Sequence, residues 1–158
     1  MANTLLTRIG KFCQSGRHFF LIALIVLFVD RLTKVLVERF MFVSQTIPLI
    51  PGAVHLTSIQ NTGAGFGLLR GQQSLLILIS LVVVGVILYH LPVIMKERKT
   101  VLPYALLWGG ALGNLIDRVY FGYVVDFLDF RVWPVFNIAD SAITIGAVWL
   151  IILYWNEK

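Results

Sequence analysis

Between Gly109 and Asp140 the chain reads GGALGNLIDRVYFGYVVDFLDFRVWPVFNIAD, with four aspartates, two asparagines and two arginines. Apolar runs long enough to cross a bilayer flank this stretch on both sides. Ionisable groups are costly at membrane depth, and a cluster of them there marks a functional site by default. Two facing carboxylates can share one proton, because both cannot ionise at close range. The ionised member then takes a proton from water, and the protonated member hydrogen-bonds a carbonyl and helps an amine leave. Peptide hydrolysis is the natural task for such a pair. Asp126 with Asp140 is one pairing and Asp129 with Asp140 another, while Asp129 also has Arg131 at hand as a plain ion-pair partner.

Other hydrolytic chemistries find little support. No serine has an evident histidine partner. His18, His55 and His90 are too scattered for a histidine-based zinc site, so no metal and no cofactor is expected. His90, beside Pro92, reads as an interfacial residue. A single cysteine, Cys13, excludes an internal disulfide; it lacks the small residues of a lipid-attachment site before it and reads as a bystander.

The elements that must carry the carboxylates follow from composition. The 158 residues are 58% hydrophobic and 13% charged, about half the charged fraction of a soluble domain. With about 20 residues per span, four spans and their loops nearly exhaust the chain. The expected architecture is an all-α polytopic membrane protein in a single membrane domain. The basic tail is 1–18, span one 19–38, an extracytoplasmic segment 39–71, span two 73–94, a cytoplasmic loop 95–100, span three 101–118, an extracytoplasmic loop 119–135 and span four 136–155. The run from Phe19 to Val29 ends in Asp30-Arg31 rather than at a small-residue cleavage site, so the first span is expected to be retained.

Within 39–71, Pro48, Pro51 and Gly52 break any helix, and Val43, Ile47, Val54, Leu56 and Ile59 suggest short strands resting on the membrane surface. The segment ends in the glycine-rich turn NTGAGFG, where Asn61 could serve the turn or aim its amide at a substrate backbone. Gly109 and Gly113, and Ala142 and Gly146, have the spacing that lets helices approach closely in lipid. That does not account for Asn114 and Arg118, which share a face of span three, with Asp117 at i+3 from Asn114. In span one Asp30 and Lys34 share a face. They are either a self-neutralising pair, with Arg31 and Lys34 reaching up to the headgroups, or Asp30 faces the bundle and braces a site.

The net charge of +5 is better explained by topology than by nucleic acid. Seven Lys and Arg lie in the N-terminal tail, the 96–99 loop and the C-terminal tail, against Arg39, Arg70 and Arg131 in the two other connections. Both termini are therefore expected in the cytoplasm. Asp30, Asn61, Arg118, Asp126, Asn137 and Asp140 then all fall on the outer side. A proton- or ion-coupled transporter would use the same carboxylates as a relay, but it would favour internal repeats, and none is visible. A structural subunit held by polar helix contacts is the third alternative.

Asp30 with Lys34, NTGAGFG at 61–67, GGALGNLIDR at 109–118, VVDF at 124–127 and FNIADS at 136–141 occur together in an order that resembles bacterial lipoprotein signal peptidase, also called signal peptidase II. The resemblance covers roughly 19–155. It implies an aspartic endopeptidase of the bacterial inner membrane that needs no metal. Such an enzyme removes the signal peptide of a prolipoprotein by cutting just before a cysteine that carries a diacylglyceryl group. It implies Asp126 and Asp140 as the catalytic pair, with Asp30, Lys34, Asn61, Asn114, Arg118 and Asn137 in support. It implies that 41–71 forms a small β-cradle at the membrane surface and that 119–135 gates the substrate groove. It also implies inhibition by the cyclic peptide globomycin. Nothing in the sequence points to an oligomer, so a monomer in membrane lipid is expected.

Overall fold

The computed structural model describes residues 2–65 and 68–156, with the side chains of 2–11 and Cys13 outside the description. Phe66 and Gly67 of the glycine-rich turn, and the readings placed on Arg8, Lys11 and Cys13, therefore lie outside the described residues. The element order is α1 (Ala2–Phe40), β1 (Thr46–Ile50), β2 (Val54–Asn61), α2 (Gln73–Ile94), α3 (Arg98–Phe121), β3 (Val124–Asp129) and α4 (Ile138–Trp155). Helix α1 has 39 residues and runs without a break through the stretch read as a basic tail.

Among the described residues two helices, α2 and α4, are long and apolar enough to cross a membrane, with mean hydropathies of 2.6 and 1.7. Only 17% and 22% of those stretches are buried within the protein. A helix apolar on every face and mostly exposed finds its solvent in lipid rather than water. Helices α1 and α3 carry the buried charges. Helix α3 packs against each of the other three, and its glycines make this possible. A Cβ on Gly109 would stand 2.9 Å from the carbonyl oxygen of Ala23 on α1, and one on Gly110 would collide with the carbonyl of Ala139 on α4. A Cβ on Gly146 would stand 2.6 Å from the carbonyl oxygen of Pro103. These helices meet backbone to backbone, as small residues permit.

The strands form one antiparallel sheet in the order β1-β2-β3. Gly52, at φ +77°, makes the β1–β2 turn, and Pro48 sits on the edge strand, where a missing donor does least harm. The stretch 119–135, read as a loop, contains the third strand. Val124, Val125 and Phe127 are buried, and pairing with β2 satisfies their backbone. Gly122, at φ +76°, ends α3 and turns the chain into β3. After β3 the chain doubles back, and Phe136 and Leu128 exchange backbone hydrogen bonds of 2.8 and 3.1 Å. This return delivers the start of α4 against β3.

Candidate active site

Two register positions place the first carboxylate. Ile59 pairs with Asp126 and Asn61 with Val124 across β2 and β3, which sets Asn61 beside Asp126. The second carboxylate belongs to a helix start. Asn137 is the N-cap of α4, its side-chain oxygen accepting the Asp140 amide at 2.9 Å, while Asp140 Oδ2 accepts the Asn137 amide at 3.3 Å. This reciprocal capping box fixes Asp140 in the first turn. The Asn137 side chain also donates from Nδ2 to Asp126 Oδ1 at 2.7 Å. One asparagine thus binds both aspartates.

Asp126 is 2% exposed. It accepts N–H bonds on both oxygens, from Asn137 and, at 2.8 Å, from Asn61 Nδ2. Burial and then the negative charge of Asp140 push its carboxyl up to about 7, against the two amides, which favour the charged form. Asp140 is half-buried and accepts Asn114 Nδ2 on Oδ1 at 2.7 Å. Both carboxyls line one cavity of about 550 Å³, together with Asn61, Arg118, Trp133 and Phe136. The arrangement suits a carboxyl and a carboxylate sharing a proton beside a space large enough for an extended peptide.

Beneath the pair lies a buried charged layer. Lys34 Nζ is 2.7 Å from Asp30 Oδ2 and 2.7 Å from Asp117 Oδ2, all three side chains being fully buried, and it donates to Asn114 Oδ1 at 3.0 Å. Arg31 pairs with the other Asp117 oxygen and stacks over Phe121, 5.4 Å from the ring centroid. Asp30 Oδ1 accepts the Ala139 amide at 2.9 Å, tying α1 to the first turn of α4. Two carboxylates and two cations neutralise each other, the condition for burying charge at all. Lys34 does not reach up to the headgroups, as one reading of the sequence had it. Its carboxylate and amide partners all lie inside the bundle. Asp30 faces inward, as the other reading had it.

Arg118 spans the cavity wall, donating to the carbonyls of Gly63 at 3.3 Å and Asn114 at 3.5 Å, with its buried Nε unpartnered. Asn61 Oδ1 accepts the Gly63 amide at 2.8 Å, so the asparagine serves both the turn and Asp126. Asp129 is not part of this constellation. It accepts Thr57 Oγ1 at 2.6 Å and the Arg131 amide at 2.8 Å, with the Arg131 guanidinium at 3.7 Å. The Thr57 hydroxyl, followed by the Arg131 amide and charge, holds its carboxyl below the usual range despite its burial. Of the two pairings open in the sequence, only that of Asp126 with Asp140 shares hydrogen-bonding partners and a cavity.

All eight site candidates lie in this connected network. The sequence reading noted Asp117 and Arg31 but did not count either among the site residues. The signal available was charge balance: Asp30, Arg31 and Lys34 of the first span sum to +1, and Asp117 on the facing span brings the four to zero. Among the described residues no group of three or more His, Cys, Asp or Glu side chains could hold a metal ion.

The family model for signal peptidase (SPase) II matches residues 22–156. A lipoprotein signal peptidase of Halothermothrix orenii is 48% identical over 139 residues, covering 88% of this chain and 96% of that one. A second, from Pelotomaculum thermopropionicum, is 47% identical over 142 residues, covering 88% and 92%. Among solved structures, a bacterial membrane enzyme determined by the in meso method at 2.3 Å superposes with a TM-score of 0.85 at 34% identity, covering 89% of this chain and 88% of that one.

Proposed function

The chain belongs to the lipoprotein signal peptidase (signal peptidase II) family, and from that premise we propose that Asp126 and Asp140 are its catalytic pair. It is an intramembrane aspartic peptidase that removes the signal peptide of prolipoproteins. The observation that carries the assignment of the pair is Asn137, whose one side chain binds Asp126 and caps the turn bearing Asp140.

The buried Asp126 holds the shared proton near neutral pH, and the more accessible Asp140 is the base. Asp140 takes a proton from a water as that water attacks the scissile carbonyl carbon. Asp126 donates a hydrogen bond to the carbonyl oxygen as charge develops there, and a proton returns to the leaving amine. Asn61, Asn114 and Asn137 orient the carboxyls. Arg118, which lines the cavity, positions the substrate backbone. Lys34 and Asp30 hold Asn114 and α4 in place.

The scissile bond lies before a diacylglyceryl-modified cysteine, whose acyl chains in the outer leaflet would keep that bond at the membrane surface. An active site on the outer face of the inner membrane, with both termini cytoplasmic, agrees with the bias of Lys and Arg toward the opposite connections. One chain supplies every residue of the site, so a monomer suffices. The 119–135 stretch gates the groove through Trp133, which lines the cavity beside Phe136, and globomycin blocks it.

The test incubates the detergent-solubilised protein with a diacylglyceryl-modified precursor, with and without globomycin. Asp126→Asn and Asp140→Asn should each abolish cleavage while inserting and folding as the wild type does. Wild-type rates in either variant would remove that residue from the pair.

A further inference from the structure

A second cavity, of about 320 Å³, lies at the other end of the bundle. Its rim holds Lys96 from the α2–α3 turn, Arg98 from the start of α3 and His18 from α1. Ile22, Val101 and Leu102 form its apolar floor. Along α3 it lies roughly sixteen residues from Asn114, about 24 Å at 1.5 Å per residue, most of the thickness of a hydrocarbon core. It therefore sits at the membrane interface opposite the aspartates and shares no residue with their site. Close approach builds it: a Cβ on Gly16 would stand 2.8 Å from Met95 Sδ, so α1 and the turn touch beside the opening.

We propose that this cavity binds the phosphodiester headgroup of an anionic phospholipid. Three observations converge on that chemistry. The rim carries two full positive charges and an imidazole, and among the described residues no carboxylate lines it; Glu97, between Lys96 and Arg98 in sequence, is not one of the lining residues. Basic pockets between spans at an interface favour anionic headgroups. The apolar floor also leads somewhere. Ile22, Ile25 and Val29 recur at helical spacing along one face of α1, and Ile25 and Val29 are exposed, at 53% and 38%. A phosphate at the rim would thus have an open apolar track for its acyl chain, which a free phosphate would not use.

The experiment measures lipid retained by the full-length protein in detergent, by native mass spectrometry, with phosphatidylglycerol and phosphatidylcholine offered separately. The variants are Lys96→Ala/Arg98→Ala and, as an off-site control, Arg17→Ala, which removes an exposed charge that does not line the cavity. Precursor cleavage by each variant reports that it is folded. Wild type should retain phosphatidylglycerol over phosphatidylcholine, and the double variant should bind phosphatidylglycerol at least about tenfold more weakly, with Arg17→Ala unchanged. Because removing both charges could loosen the turn, Leu102→Trp, which fills the floor and keeps the rim, provides a second reading and should also lose the lipid. Equal retention of both lipids, an equal loss in Arg17→Ala, or displacement of the lipid by millimolar inorganic phosphate would each overturn the proposal.

Discussion

Lys34 Nζ donates to Asn114 Oδ1 at 3.0 Å, and the same amide donates from Nδ2 to Asp140 Oδ1 at 2.7 Å. The ammonium thereby fixes which way the amide faces: with the oxygen held by Lys34 and by Asn137 Nδ2 at 3.2 Å, only the NH₂ can reach Asp140. Lys34→Met should lower kcat by roughly 10²-fold or more and destabilise the fold by about 3–5 kcal/mol, because Asp30 and Asp117 are left buried with less counter-charge. Adding Asp117→Asn should recover part of the thermal stability and none of the rate. A double variant that regained activity together with stability would reduce Lys34 to a structural role.

Gly113 makes a complementary test of the same layer. A Cβ there would lie 2.7 Å from Asp30 Oδ2 and 3.5 Å from the Ala139 Cβ. Gly113→Ala would push α1 and α4 away from α3 where Asp30 ties the first turn of α4. Overpacking of a tight core costs typically about 1–3 kcal/mol, and catalysis should fall by more than tenfold because a misplacement of about 1 Å is enough to do so. Gly85→Ala, whose Cβ would meet open space on α2, should leave Tm and rate unchanged. Equal behaviour of the two variants, measured by thermal shift and precursor cleavage, would contradict the packing argument.

The bundle and its site were largely legible in the sequence because the membrane removes alternatives. Apolar runs leave few choices of helix, and each polar residue inside them needs a reason. Asp30, Asn114 and Asp140 were visible for that reason. Lys34 and Asp117 were harder, since a lysine near the end of a span can equally well reach for the headgroups. Only the three-dimensional meeting of α1 and α3 shows that its counter-charges lie inside. The strand at Val124–Asp129 was hidden in a stretch rich in aromatics, where interfacial character masks the alternation of a short strand. Its partner β2 is more than sixty residues earlier, beyond the reach of any local pattern.

Asp129 tests the assignment from the other side. It lies three residues from Asp126, is as acidic in type, and in sequence was a rival for the pair. Its hydrogen bonds to Thr57 and Arg131 depress its carboxyl. A depressed folded-state value stabilises the fold above the ordinary carboxylate range, and that contribution is lost as pH falls through the lowered value. Asp129→Asn should therefore lower Tm by roughly 2–4 °C at neutral pH, with the difference from wild type shrinking in acid below about pH 4. Cleavage should change by no more than about threefold. A loss as deep as that of Asp126→Asn would reopen the choice of pair.

Asp126 has the opposite sign. Its carboxyl, raised to about 7 by burial and by Asp140, binds a proton in the folded state through a range where the unfolded chain has released it. Stability thus falls as pH rises from about 4 to about 7 and is flat above. The Tm of Asp126→Asn minus that of wild type should therefore increase across that window. Activity follows the same proton: above about pH 7 Asp126 loses it and no acid remains for the carbonyl oxygen. The value of kcat/KM should fall roughly tenfold per unit there. Asn61→Ala supplies the discriminating shift. The Asn61 amide favours the charged carboxylate, so removing it should move the alkaline limb to higher pH while lowering the maximum rate. A limb that stayed in place, or moved toward acid, would mean that a group other than Asp126 carries the essential proton.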